Sequence, residues 1–462
     1  MNLLGILAFV FILGAAVILH EFGHFIVAKM LGIRVETFSV GFGRRIWGRR
    51  WGTTDYRLSL IPLGGYVKLG GDDSNAGIEE GTSEEIPLPE RFDLRPRWQK
   101  FLVGVAGPVM NVLTAISIPL ALAMIIGVPV MPPPVVKTVF PDSAAAKAGV
   151  QQGDRIVSFN GRENSEWDKI QNDALLSPEQ PLPLVVERGA ERIPLTLVPS
   201  KQVEDGQAIG RLGILPDYGD VPVVVGLVEN DTPAAEAGLK PGDQVLTIGG
   251  EQVASAEHVR QYIRSHTGQP IPIVVRRDGE TKEITAQTRR LSDGQDRLGF
   301  APVEDPPVRR VGFAAAAGYS VSHNLEMIRL TGMALGQVFS GRRSVRDTFA
   351  GPIGIAQASS RAANEAGLEG VFRMLGFLSL NLGIFNLLPI PVLDGGMIFM
   401  LFLEGVLGWM GMKLSMTMRE RIQQVGFVFL LLLMGFVIIN DVTRVASGWI
   451  GSKNQPAATQ QK

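Results

Sequence analysis

The chain has 462 residues, 46% of them hydrophobic and only 19% charged, with a formal net charge of −1. So few charges point to the membrane rather than to a soluble chain, and near neutrality without a basic run outside one loop argues against nucleic-acid binding. Cysteine is absent, which removes disulfides, thiolate metal ligands and cysteine nucleophiles and leaves His, Asp and Glu for any metal site.

The first apolar block, residues 3–31, is apolar to Leu19 and then carries His20, Glu21 and His24. At about 1.5 Å per residue it is long enough to cross a bilayer. A cleaved signal peptide would show basic leading residues and a small-residue cleavage site before the charged cluster, and neither is present. A second block covers 101–131, a third covers 374–410 with Pro389 and Pro391 breaking it, and a fourth covers 425–439. Arg34, Arg44, Arg45, Arg49, Arg50, Arg57 and Lys68 lie between the first two blocks, and Lys413, Arg419 and Arg421 between the last two. The positive-inside rule places both loops in the cytoplasm, and both termini and the long insert after residue 131 on the other side, which in a bacterium is the periplasm.

Within the insert the stretch 142–156 repeats at 231–245 without a gap. Each copy reads as an Ala-rich helix ended by Gly149 or Gly238, a Gly-Asp turn at Asp154 or Asp243, and a β-rich run. The pattern resembles PDZ domains of the periplasmic kind found in proteases. Such domains bind extended peptides by strand addition; spacers that limit access by size are the equal alternative. After the second copy, residues 319–339 read as a helix on the membrane surface, with a turn at Gly351 to Gly354, and the tail from Gly451 reads as disordered.

The expected fold is therefore a polytopic α-helical membrane protein with four transmembrane helices, two inserted β-rich PDZ-like domains and a membrane-associated β-hairpin or sheet. The boundaries are a first helix at 1–31, a β loop at 32–100, a second helix at 101–131, PDZ-like domains at 132–203 and 220–292, and a surface linker at 306–370. A third helix at 371–410, a fourth at 424–446 and a flexible periplasmic tail at 447–462 complete the chain.

His20-Glu-Phe-Gly-His24 places two imidazoles on one helical face, the arrangement that offers two nitrogens to one zinc ion, with Glu21 beside them to polarise water. Only five histidines occur in the chain, and ionisable groups inside a membrane helix cost on the order of 3 kcal/mol each, so they persist mostly where they function. Catalytic zinc takes three protein ligands. The remaining histidines, His258, His266 and His323, fall in or beside the insert, whereas Asp394 lies in an apolar stretch just after two prolines. Irregular backbone at membrane depth needs a protein-buried or water-lined setting, and an active-site cavity supplies both.

His20 to His24 in a first membrane helix, with Asn386-Leu-Leu-Pro-Ile-Pro-Val-Leu-Asp-Gly395 in a late one, resembles the site-2 protease family of intramembrane zinc metalloproteases, over nearly the whole chain. Gly107-Pro-Val-Met-Asn111 is similar to that family's helix-packing motif beside the active site. The resemblance implies zinc ligation by His20, His24 and Asp394, general base and acid catalysis by Glu21, and a substrate-holding or carbonyl-polarising role for Asn386; an interhelical hydrogen bond is the alternative for Asn386. It further implies a β-sheet at 38–69 that pairs with an unwound substrate, and a single-pass membrane substrate, an anti-sigma factor already cut by an upstream site-1 protease, together with signal-peptide remnants. The location implied is the bacterial inner membrane, with the active site towards the cytoplasmic side. A non-catalytic scaffold capturing peptides through tandem PDZ domains is the alternative and predicts that Glu21 is dispensable. A zinc transporter would need several midplane ligands, which one such cluster does not supply.

Overall fold

The computed structural model describes residues 2–71, 86–204, 207–217, 219, 221–290, 296–305, 307–348, 350–412 and 415–453. The chain divides into two compact units. One comprises Met1–Ile125, Gly312–Met327 and Gly351–Ile439; the other comprises Ile126–Val311, Ile328–Ala350 and Asn440–Lys462.

Six long helices are present among the described residues: α1 (Leu3–Met30), α2 (Arg97–Ile125), α3 (Phe313–Phe339), α4 (Pro352–Asn386), α5 (Asp394–Trp409) and α6 (Met416–Lys453). Four of these, α1, α2, α4 and the stretch Thr417–Thr443 of α6, are long and apolar enough to cross a membrane. In the first unit α1 buries Ala8, Ile12, Ala16 and His20, each four residues after the last, against its neighbours. Pro119 cannot donate to the Ala115 carbonyl one turn back; Nδ2 of Asn324 in α3 donates to it instead at 3.0 Å, and Oγ of Ser320 donates to Ile116 O at 2.6 Å. The first half of the helix expected on the membrane surface is thus pinned to α2 by buried polar groups.

The third apolar block differs from its expected form. The helix begins at Pro352, a favoured first helical position, kinks at Gly367 and ends at Asn386; Asp394 then opens the separate helix α5. Likewise α6 continues to Lys453, past residue 447 where the tail is expected to start, and the tail beyond 453 lies outside the described residues.

Between α1 and α2 run β1 (Val35–Trp51) and β2 (Thr54–Leu69). Their register makes four segments rather than a plain hairpin. Residues 35–40 pair antiparallel with 65–69 on one side and run alongside 55–58 in the same direction on the other; 55–58 in turn pair antiparallel with 47–51. Val35, Val67 and Leu69 pack with Ala28, Ile33 and Val103, which seats the sheet against the end of α1 and against α2.

The second unit contains two β-rich domains. In the first, Arg155–Phe159, Leu182–Arg188 and Glu191–Leu197 form an antiparallel sheet, Val136–Val139 pairs with Ile214–Pro216, and Trp167, Ile170 and Phe159 centre the core. In the second, Val223–Val228, Gln244–Ile248, Pro270–Arg277 and Glu280–Gln287 are joined by Phe300–Glu304. Both domains therefore reach beyond the expected ends at 203 and 292, because each is closed by a later strand. These strands follow a second repeated stretch, Arg211-Leu-Gly-Ile214 and Arg297-Leu-Gly-Phe300. Gly213 and Gly299 have φ of 72° and 84°, and a Cβ at either would meet the side chain capping the Ala-rich helix, Ser143 at 2.2 Å or Thr232 at 2.3 Å.

Candidate metal centre

Two segments far apart in sequence converge at one buried point of the first unit. His20 and His24 lie one turn apart on α1, and Asp394 heads α5, where the free amides of a helix N-terminus favour a carboxylate. The loop ahead of it is tight: Val392 has φ of 85°, an uncommon conformation for a β-branched residue that clusters at functional sites. Nε2 of His20 is 3.3 Å from Nε2 of His24 and 2.9 Å from Oδ2 of Asp394, and Nε2 of His24 is 3.4 Å from the same oxygen.

These three edges fit a zinc ion. Ligand atoms at about 2.0–2.1 Å from a tetrahedral centre stand roughly 3.3 Å apart, and the observed edges surround that value. Oδ2 of Asp394 is buried without a hydrogen-bond partner although two nitrogens lie this close, and the two Nε2 atoms themselves stand within hydrogen-bond distance, so three donor atoms crowd one small space. An unpartnered buried carboxylate oxygen is costly unless a cation faces it.

The imidazoles are oriented by α2. Nδ1 of His24 donates to the Val103 carbonyl at 2.7 Å, which leaves Nε2 with its lone pair. Nδ1 of His20 lies 3.2 Å from the terminal amide of Asn111, a fully buried residue. Gly107, one turn before Asn111, lets α2 come this near: a Cβ there would lie 2.3 Å from Nε2 of His24 and 2.8 Å from Nε2 of His20. The stretch 107–111 expected to pack helices thus also forms the wall behind both imidazoles. Sequence reasoning passed over Asn111 as an individual residue, and its spacing of four from Gly107 was the available signal.

Glu21 and Asn386 flank the three donors. Oε2 of Glu21 accepts from the Val67 N–H of the sheet at 3.1 Å, and Nδ2 of Asn386, the last residue of α4, is 3.2 Å from Nε2 of His20. Every site residue expected from the sequence is therefore in this cluster. His258, His266 and His323 are elsewhere: Nε2 of His258 is 3.3 Å from Glu251, His266 stacks on Tyr262, and His323 stacks on Tyr319.

The chain matches the family model described as Peptidase family M50 over residues 8–433. It is 32% identical to the regulator of sigma-E protease RseP of Salmonella typhimurium, with 95% of this chain and 98% of that one aligned, and 30% identical to the Escherichia coli protein of the same name, with the same shares covered. It is 34% identical to a protein of Neisseria meningitidis named as a candidate zinc metalloprotease, over 95% of this chain and 99% of that one. Among solved structures, the PDZ domain of an SdrC-like protein from Listeria monocytogenes matches 18% of this chain and 90% of that one, at 24% identity and a TM-score of 0.17.

Proposed function

From the premise that the chain belongs to peptidase family M50 and is a zinc metalloprotease of the intramembrane, site-2 type, we propose that His20, His24 and Asp394 hold its zinc and Glu21 is the general base and acid. The observation that carries this ligand set is the triangle of donor atoms with edges of 3.3, 2.9 and 3.4 Å around an unpartnered carboxylate oxygen. When bound, zinc supplies Lewis acidity, polarising the scissile carbonyl and lowering the pKa of water to about 7. Glu21, adjacent in sequence to a ligand, takes the proton from the attacking water and delivers it to the leaving amine. Asn386 offers Nδ2 as a hydrogen-bond donor beside the ligands, where charge develops on the carbonyl oxygen.

A transmembrane helix hides its peptide bonds, so its cleavage requires an extended segment. Among the described residues, 65–69 form a strand pair with 35–40, and the amide of Val67 faces away from the sheet to Glu21. That edge, next to the base, supports strand addition by an unwound substrate. The substrate class this suits is a single-pass membrane protein already trimmed by an upstream protease, an anti-sigma factor in the sigma-E response named for the relatives, together with signal-peptide remnants. The chain would act in the bacterial inner membrane with its termini and inserted domains in the periplasm, as the arginine-rich loops favour.

For the inserted domains, one observation favours a size filter over peptide capture. In the second domain Nη2 of Arg260 reaches from the helix Ala256–Ser265 to the Pro302 carbonyl at 2.9 Å. It occupies a strand-edge acceptor that an added peptide would use.

The decisive experiment compares cleavage of a tagged single-pass substrate in detergent by the unaltered protein and by Glu21→Gln, with zinc content measured on both. Retained zinc with cleavage lost by at least about a thousandfold, as expected of a missing general base plus nucleophile activation, supports the assignment. Persistent cleavage moves the chemistry elsewhere and favours the scaffold reading.

A further inference from the structure

A histidine ligates a metal through its unprotonated nitrogen, so ligation by Nε2 of His20 requires the proton on Nδ1. That N–H then needs an acceptor in a place buried from water. For His24 the acceptor is the Val103 carbonyl. For His20 the group the structure brings to Nδ1, among the described residues, is the amide of Asn111 at 3.2 Å. Asn111 has no exposed surface, and a Cβ on Gly383 of α4 would lie 3.3 Å from its own Cβ, so the side chain is wedged between helices. Its Oδ1 has no other partner. Amide oxygen and nitrogen exchange by a half-turn of the terminal group, and the orientation with Oδ1 against Nδ1 satisfies both orphaned groups at once.

We propose that Asn111 is a positioning residue of the metal centre: its Oδ1 accepts the Nδ1–H of His20, fixing the tautomer and ring angle that present Nε2 to the zinc. This rests on the ligand set of the preceding section. It makes α2 the support of both histidines, through a backbone carbonyl for one and a side-chain amide for the other. Acceptors in this position raise the basicity of the ligating nitrogen, and their loss costs roughly 10–100-fold in metal affinity.

A competition titration of the detergent-solubilised, zinc-loaded full chain against a chromogenic chelator tests it, using Asn111→Leu, Asn111→Asp and His20→Ala. Asn111→Leu, close in volume but without an acceptor, is expected to give up zinc with about 10–100-fold lower affinity. Asn111→Asp, whose carboxylate accepts the same proton, is expected to stay near the unaltered protein. A packing role predicts the reverse order, because an apolar residue suits a helix interface in the membrane and a buried carboxylate does not. Unchanged affinity in Asn111→Leu, the reverse order, or an equal loss in both overturns the proposal. Asn111→Ala, which adds no bulk, carries the same test should the leucine variant fail to fold. Full zinc retention in His20→Ala would instead overturn the ligand set, and the proposal with it.

Discussion

At Gly107 a single added carbon decides the fate of the site. A Cβ there would stand 2.3 Å from Nε2 of His24, whose ring is held by the Val103 carbonyl, and 2.8 Å from Nε2 of His20. Gly107→Val is therefore expected to lower zinc content, measured by elemental analysis of purified protein, by about tenfold or more, with cleavage falling in parallel. Gly376→Ala, where the nearest atom to a new Cβ is on Ile118 at 3.7 Å, is the control and should retain both. The histidines and Glu21 were legible in the sequence because helical spacing alone brings residues four apart together. Asp394 was legible because an acid among apolar residues after two prolines has few other uses. The contribution of Asn111 was not, since which side chain meets Nδ1 depends on how α2 rotates against α1, and a five-residue stretch of helix does not disclose that.

The same limit operates on whole elements. Residues 38–69 read as β-prone runs with turns, but the parallel course of 37–40 beside 55–58 arises from a long-range register that local propensity does not encode. In the insert, by contrast, the repeat told of two like domains, and the structure adds the bond that makes them alike. Arg188 grips Asp154 with Nε at 2.7 Å and Nη2 at 2.8 Å, and Arg277 grips Asp243 with both contacts at 2.6 Å. Each arginine also reaches a helix-end carbonyl, of Gly149 or Gly238. Burial by itself raises these carboxyls, but the bidentate arginine and a backbone N–H more than reverse it and hold both below the usual aspartate value. With the folded pKa depressed, the pairs contribute stability above the unfolded value of about 4, and that stability is lost as pH falls through the folded pKa. Asp154→Asn and Asp243→Asn should each destabilise their own domain at neutral pH, because the buried side chain no longer offers a charged bidentate acceptor to its arginine. Each should also flatten the acid limb of that domain's unfolding, followed by hydrogen exchange of its own strands. Equal acid sensitivity in the variants and the unaltered protein would show that other carboxylates govern it.

At the scale of the molecule, the proposed orientation rests on charge placement and on the four helices long and apolar enough to cross a membrane. The basic residues collect in the sheet, with Arg44, Arg45, Arg49, Arg50 and Arg57, and around the start of α6, with Lys413, Arg419 and Arg421; the inserted domains lie in the stretch between α2 and α4. One span, α2, lies between the sheet and the insert, and an odd number of crossings between them puts the insert across the bilayer from the sheet; α1 and α2 together return the insert to the side of the N-terminus. Because the chain has no cysteine, single introduced thiols report without a background. Glu191→Cys and Thr281→Cys, at exposed positions of the first and second inserted domains, should react with a membrane-impermeant maleimide in cells whose outer membrane has been opened. Arg49→Cys in the sheet and Met412→Cys after α5 should react only once the inner membrane is permeabilised. Labelling of Arg49→Cys in intact inner membranes would reverse the orientation, and with it the side from which a trimmed substrate approaches Glu21. Labelling of Met412→Cys alone would mean that α4 does not cross. In that case Asp394 would have to meet the two histidines from a helix lying in the surface rather than through the membrane.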